Sequence, residues 1–404
     1  MEGKNKGWTV TGAAVGINLA CGMLYSWSVF AAALIKDMGF TKTQASIPYT
    51  IALAMLALLS IPGGRLQDRV GPRICGILCG ILCGVGLIIS SFASSLVMMT
   101  IGFGFITGAG CGLAYGATTP AAVKWFSPQK RGLISGMVVA GVGLSSVYVA
   151  PMTHFLVKNY SLSKALFIEG IFFASIILIF SQFLENPPMG YIPPGMAEQS
   201  ESSKNNNKRE FTPAEMIKTS QFWLIWLMYG CGALAGLMII GHMAMIAKMQ
   251  ANIDWAFVFV AVLAIFNASG RVVGGLLSDR MGRRNALLLV FILQAINMVL
   301  FSNYITTGLL IMGIAVAGIC YGSLLAIFPV LTFDYYGMKN GGVNYGIVFT
   351  SWGAAGVIGP IMAGYIADMT KSYHAAYLIA AGLLLISVIL GSFLKPPKTV
   401  ITNG

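Results

Sequence analysis

The chain has 404 residues, 57% of them hydrophobic and only 9% charged, with a mean hydropathy of +0.79. Soluble globular domains carry about a quarter charged residues, so that class is excluded and a polytopic all-α membrane protein is expected. The net charge of +12 does not point to nucleic acid, because the basic residues fall in short turns between apolar runs, the pattern of a positive-inside topology.

Breaking the chain at charged or Pro/Gly turns gives twelve apolar spans, at 8–35, 44–66, 74–94, 97–122, 131–156, 163–184, 219–247, 254–278, 286–303, 306–332, 342–367 and 373–394. Each suffices to cross a hydrocarbon core about 30 Å thick. Span 1 is too long for a signal-peptide core and reads as a retained helix; it contains Leu24 and Tyr25-Ser26-Trp27. After span 2 comes a basic turn, Gly64-Arg65-Leu66-Gln67-Asp68-Arg69-Val70-Gly71-Pro72-Arg73. Span 3 carries Cys75, Cys79 and Cys83 on one helix face, but no histidine or carboxylate accompanies them, so apolar packing is expected rather than a metal. All seven cysteines lie in apolar segments, and no disulfide framework is implied.

Span 4 contains Tyr115-Gly116, and span 10 repeats the pair as Tyr321-Gly322. Spans 5 and 11 are rich in glycine, from Gly136 to Pro151 and from Gly353 to Gly364, spacings that let helices slide in close contact. Glu169 in span 6 is the one acidic residue well inside a span. The longest polar gap, 185–218, joins a first bundle at 1–184 to a second at 219–404, and is expected to end in a short interfacial helix capped by Thr212.

Span 7 holds His242, a neutral imidazole whose ordinary pKa of about 6.5 suits it to accept a proton; it is a candidate for proton coupling and for substrate contact. Span 8 holds Asn267 and Arg271. Eight residues separate Arg271 from Asp279, which at helical rise puts the guanidinium roughly 12 Å from the membrane surface. A cation there costs about 2.5–3.5 kcal/mol. No Asp or Glu lies within four residues of it, so its counter-charge must come from another helix or from outside the protein. A guanidinium offers a fork matched to a carboxylate, which makes Arg271 the leading substrate-binding residue, with Asn267 to orient it or to hydrogen-bond the substrate, and Tyr115 and Tyr321 as uncharged donors. No cofactor motif or nucleophile–base pair is visible, and an enzyme is not expected.

Of 25 Lys and Arg residues, 18 lie at the termini and in even-numbered turns, six in odd-numbered turns, and one is Arg271. Both termini and the linker are therefore expected to be cytoplasmic, in a plasma membrane such as a bacterial inner membrane.

The turn after span 8, Gly275-Leu276-Leu277-Ser278-Asp279-Arg280-Met281-Gly282-Arg283-Arg284, nearly copies the turn after span 2. Two six-span pseudo-repeats with this turn in the same place resemble the major facilitator superfamily. Asp68, Arg69, Arg73, Asp279, Arg280 and Arg283 are then expected to form a conformational gate, each aspartate against a helix N-terminus of the other half. Tyr25-Ser26-Trp27, the glycine-rich stretch from Gly108 to Gly116, Trp125-Phe126 with Lys130-Arg131-Gly132, and Asn267 to Arg271 together resemble the oxalate:formate antiporter family, related to the monocarboxylate transporters. That resemblance implies that Arg271 binds a carboxylate and that Leu24 and Tyr25 line the cavity. It also exposes a departure: where the family's dicarboxylate exchanger has a lysine in span 11, this chain has Trp352 at or beside the position. One arginine balances one carboxylate. The expected function is a transporter of small monocarboxylates such as lactate or pyruvate, coupled to a proton; an oxalate:formate-type exchanger and a non-transporting carboxylate sensor are the alternatives, and a monomer is expected.

Overall fold

The computed structural model describes residues 2–188, 190–193, 210–251 and 257–397. Among them twelve helices are long and apolar enough to cross a membrane, at the places the apolar runs predict. Span 1 comprises α1 (Glu2–Cys21), a 3-10 segment (Gly22–Ser26) and α2 (Trp27–Met38); α3 (Lys42–Arg69) and α4 (Pro72–Ser91) are spans 2 and 3. Span 4 comprises α5 (Leu96–Met99), a π-helical stretch (Thr100–Thr107) and α6 (Gly108–Val123); span 5 comprises α7 (Arg131–Leu144) and α8 (Ser146–Asn159), and span 6 is α9 (Leu162–Ser181). The short α10 (Pro213–Ile217) precedes α11 (Ser220–Ala251), α12 (Phe257–Met281), α13 (Arg283–Phe301), α14 (Thr307–Tyr336), α15 (Gly341–Thr370) and α16 (His374–Phe393), which are spans 7 to 12.

Local sequence explains where these helices begin. In both copies of the repeated turn a glycine with positive φ, Gly71 at 112° and Gly282 at 84°, reverses the chain, and the next helix starts at once. Only glycine adopts that backbone without strain. Ser161 and Thr306 cap α9 and α14 through their side-chain oxygens, and Thr41 with Gln44 forms a capping box at α3. Thr212 and Glu215 do the same at α10, the expected capped helix at the end of the linker. Much of the linker itself, 189 and 194–209, lies outside the described residues.

Packing repeats in the two halves. Within them α3 lies on α6 and α12 on α14, while α4 lies on α9 and α13 on α16. Between them α3 packs on α15, and α7 packs on α12. Both crossings depend on missing side chains: a Cβ on Gly64 would strike the backbone of Gly342, and a Cβ on Gly275 the carbonyl of Gly132. Small residues let helix backbones approach in this way. Large apolar side chains such as Ile179, Ile361 and Phe393 stand exposed on outward faces, as a lipid-facing surface requires.

Candidate functional site

Arg271 sits in α12 and is 1% exposed. Gly136 sets its surroundings, because a Cβ there would strike the Arg271 carbonyl, so α7 lies directly on α12. One turn further along α7, the Val139 carbonyl accepts a hydrogen bond from Arg271 Nη1. One turn back on α12, Asn267 Oδ1 accepts from Arg271 Nε at 3.3 Å. A guanidinium has five N–H groups, so these two bonds leave donors for whatever enters the cavity that Arg271 lines. No carboxylate pairs with it among the described residues.

That cavity lies among spans 1, 2, 4, 5, 8, 10 and 11. Its aliphatic wall includes Leu24, Leu53, Leu56, Val142 and Leu325; its aromatic wall is Tyr49, Tyr115, Phe349 and Trp352; Cys21 and Cys111 complete it. Three of the aromatic rings form one stack, Tyr115 on Phe349 at 4.4 Å between centroids and Phe349 on Trp352 at 4.8 Å. The cavity encloses about 30 Å³ of space open to the centre of a water-sized sphere. One water needs roughly 10–15 Å³ by that measure, so there is room for two or three water-sized groups. Chemically the site is a single cation in an otherwise uncharged, largely apolar chamber.

Of the residues the sequence nominates, Arg271, Asn267, Tyr115 and Leu24 come together here. The side chain of Tyr25 lies outside the described residues. Tyr321 stands one layer back: it is not on the cavity wall, its hydroxyl accepts from Trp352 Nε1 at 2.8 Å, and its ring covers Gly236. His242 is not on this cavity's wall. Its Nε2 is 2.9 Å from the Pro360 carbonyl and its Nδ1 is 3.0 Å from the Tyr373 hydroxyl, so both ring nitrogens are engaged between α11, α15 and the start of α16.

Beneath the cavity, at the face that carries the termini, two locks of polar contacts join the halves. Asp68 accepts from the backbone N–H groups of Gly342 and Val343 at 3.3 and 3.1 Å, at the start of α15, and pairs with Lys124 at 3.4 Å. Asp279 accepts from Gly132 and Leu133 at 2.9 and 2.8 Å, at the start of α7, and pairs with Arg283. Carboxylates there satisfy orphan N–H groups and oppose the positive helix end. Around the second lock, Asp334 joins Arg283 at 3.0 Å and Arg131 at 3.3 Å. Burial lowers the pKa of the Lys124 ammonium, and the attraction of Asp68 opposes that shift.

Of the six residues expected at the gate, Asp68, Asp279 and Arg283 take part in these contacts. Arg69 and Arg280 are exposed and stand outside the locks, since the helix turn that points the preceding aspartate inwards points them away. Arg73 instead donates to the Gln182 carbonyl at 2.6 Å, just as its counterpart Arg284 donates to the Gly391 carbonyl at 2.8 Å; both staple the turn to the last helix of their own half.

The Major Facilitator Superfamily profile matches residues 13–302 and 253–403. The chain belongs to the major facilitator superfamily. It is a multi-pass membrane transporter and not an enzyme. An oxalate:formate antiporter of Oxalobacter formigenes is 25% identical over 378 residues, covering 93% of this chain and 88% of that protein. Monocarboxylate transporter 13 of Rattus norvegicus is 25% identical over 379 residues, covering 91% and 83%. A solved structure of the proton:xylose symporter XylE aligns with a TM-score of 0.78 over 98% of this chain and 97% of that one, at 13% identity, a likeness of fold alone.

For this superfamily member, sequence reasoning missed Tyr49, Phe349 and the thiols of the cavity wall. Phe349 was within reach, because Tyr345, Phe349 and Trp352 recur at helical spacing on one face of span 11. The thiols form a chain through the first half: Cys21 to Cys79 at 3.6 Å, Cys79 to Cys83 at 3.8 Å and Cys83 to Cys111 at 3.7 Å. Only the i, i+4 pair in span 3 was visible without the fold.

Proposed function

We propose that this transporter carries small monocarboxylates, of the lactate or pyruvate kind, together with a proton, by alternating access. The bundles 1–184 and 219–404 rock about the cavity, 185–218 links them, and both termini are cytoplasmic, as the bias of basic residues supports. One observation carries the reading: Arg271 is buried without an acidic partner among the described residues, in a chamber with no other charge. An unpaired guanidinium resists full enclosure, whereas a bound monocarboxylate makes the site neutral and lets it close. Trp352, where a second cation is expected in an oxalate carrier, disfavours a dicarboxylate. The two relatives named for carboxylates support the substrate class. In the described form both locks are shut, on the side we assign to the cytoplasm.

Liposomes holding a pH-sensitive dye test the reading. Added lactate or pyruvate is expected to acidify the interior beyond the leak measured in empty liposomes, and Arg271→Ala is expected to abolish that excess. No excess acidification, together with counterflow of labelled oxalate against formate, would replace the proposal with anion exchange; binding without flux of any kind would make the protein a sensor.

A further inference from the structure

Glu169 of α9 is fully buried, and nothing in the cavity or the locks uses it. Its Oε1 lies 2.5 Å from Thr153 Oγ1 of α8, its Oε2 has no partner, and no cation pairs with it among the described residues. The Thr153 hydroxyl has a single proton and also lies 2.9 Å from the Val149 carbonyl. When that proton goes to Val149, the contact with Glu169 needs the carboxyl's own proton. One neutral donor is poor compensation for a buried carboxylate, which without a charged partner costs several kcal/mol and takes up a proton instead. The geometry fits a carboxylic acid.

Water comes close. A pocket of about 670 Å³ on the face opposite the termini is lined by Lys36, Asp37, His154, Val157 and Lys158, among others. Thr153, which bonds the carboxyl, is the residue before His154 and one turn before Val157, so a single turn of α8 carries both the bonded hydroxyl and part of the pocket's wall. From α8 the titratable neighbours are Tyr148 and, at the pocket, His154 and Lys158; from α2 they are Lys36 and Asp37. α4 presents Leu87 and Ile88 beside Gly170, and α1 offers no charged group to this region. The carboxyl is also tied to the substrate cavity. The Tyr148 hydroxyl donates to the Leu19 carbonyl at 2.9 Å, and α8 packs on the 3-10 segment Gly22–Ser26, which carries Leu24 of the cavity wall.

We propose that Glu169 is the proton-binding site of the symport, an assignment that rests on the proton-coupled reading above. Its Oε2 takes a proton from water in the outer pocket and gives it back when that region is hydrated again. Closure of the outer side then needs two neutralisations, a carboxylate on Arg271 and a proton on Glu169, so one anion and one proton cross together. Ionised, Glu169 holds the outer half of α8 open to water; protonated, it lets α8 settle against the broken span 1.

Two measurements on the full chain test this. In infrared spectra of purified protein in lipid, wild type is expected to show a carboxylic-acid C=O band that titrates with pH, and Glu169→Gln is expected to remove it; an unchanged band overturns the assignment whatever the substrate. In dye-loaded liposomes, Glu169→Gln is expected to lose lactate-driven acidification by about tenfold or more, the ordinary size of a coupling between sites, while lactate counterflow stays within about twofold of wild type. Acidification at the wild-type rate in Glu169→Gln overturns the inference and leaves symport standing. A wild type that never acidifies overturns the symport reading instead. Should the glutamine variant not fold, Glu169→Asp is expected to fold and acidify with a displaced pH profile, and an unchanged profile contradicts the assignment.

Discussion

Arg271 is held by bonds to Asn267 and to the Val139 carbonyl, which engage two of its five N–H donors. Hydrogen bonds to charged groups are worth about 1.5–3 kcal/mol each, so losing a two-pronged carboxylate contact is expected to weaken binding by about 100-fold or more. Arg271→Lys keeps the charge and loses the fork, and is expected to fall between wild type and Arg271→Ala in transport assays. Trp352 sets the other limit. Trp352→Lys adds a second cation to the same cavity, and counterflow assays are expected to show oxalate carried where wild type carries little; preference unchanged between mono- and dicarboxylate would contradict the charge-matching argument. At this scale the sequence was informative wherever a residue is anomalous in a membrane. Arg271 and Asn267 stand out against apolar neighbours. Phe349 and Tyr49 do not, because an aromatic ring is unremarkable there and only packing shows which way it points. His242 is the opposite case: conspicuous in sequence, it has both ring nitrogens engaged, by the Pro360 carbonyl and the Tyr373 hydroxyl.

Among the elements, the two locks matter most. Asp68 and Asp279 each seat a carboxylate on two N–H groups at a helix start in the opposite half. A cap of this kind is worth about 1 kcal/mol, so Asp68→Asn is expected to shift the conformational equilibrium about fivefold towards the form open at that face. Reaction of a reporter cysteine on the inner wall with a thiol reagent added from that face measures the shift, and an unaltered rate would contradict it. Gly275→Leu acts more severely, since its side chain would meet the Gly132 backbone; it is expected to keep the lock from closing and to abolish transport while leaving the protein in the membrane. The helices themselves were legible because twenty apolar residues between charged turns admit one solution. The breaks inside them were not. Span 1 changes to a 3-10 turn where Gly22 meets Ser145, and span 4 widens to a π-helix where Gly102 meets Gly86 and Ser90. Those are contacts between distant segments, and neither run announces its partner.

Over the whole molecule, the repeated turn places similar locks at two pseudo-equivalent sites while the charges buried in the membrane are asymmetric: the cavity's one cation comes from the second half, and the buried carboxyl of Glu169, outside the cavity, from the first. A carrier loaded as proposed, with one anion at Arg271 and one proton at Glu169, moves no net charge. Uptake is therefore expected to be insensitive to a potassium diffusion potential set across the liposome membrane; a rate that rises or falls steeply with that potential would mean another stoichiometry. The measurement closest to the central claim is binding of a charge series to the purified protein. Formate, lactate and oxalate, titrated by calorimetry into wild type and Arg271→Gln, isolate the role of the single cation. The account predicts that wild type binds the monocarboxylates in preference to oxalate and that Arg271→Gln loses them by about 100-fold or more. Equal affinities in the two proteins, or oxalate bound most tightly, would contradict it.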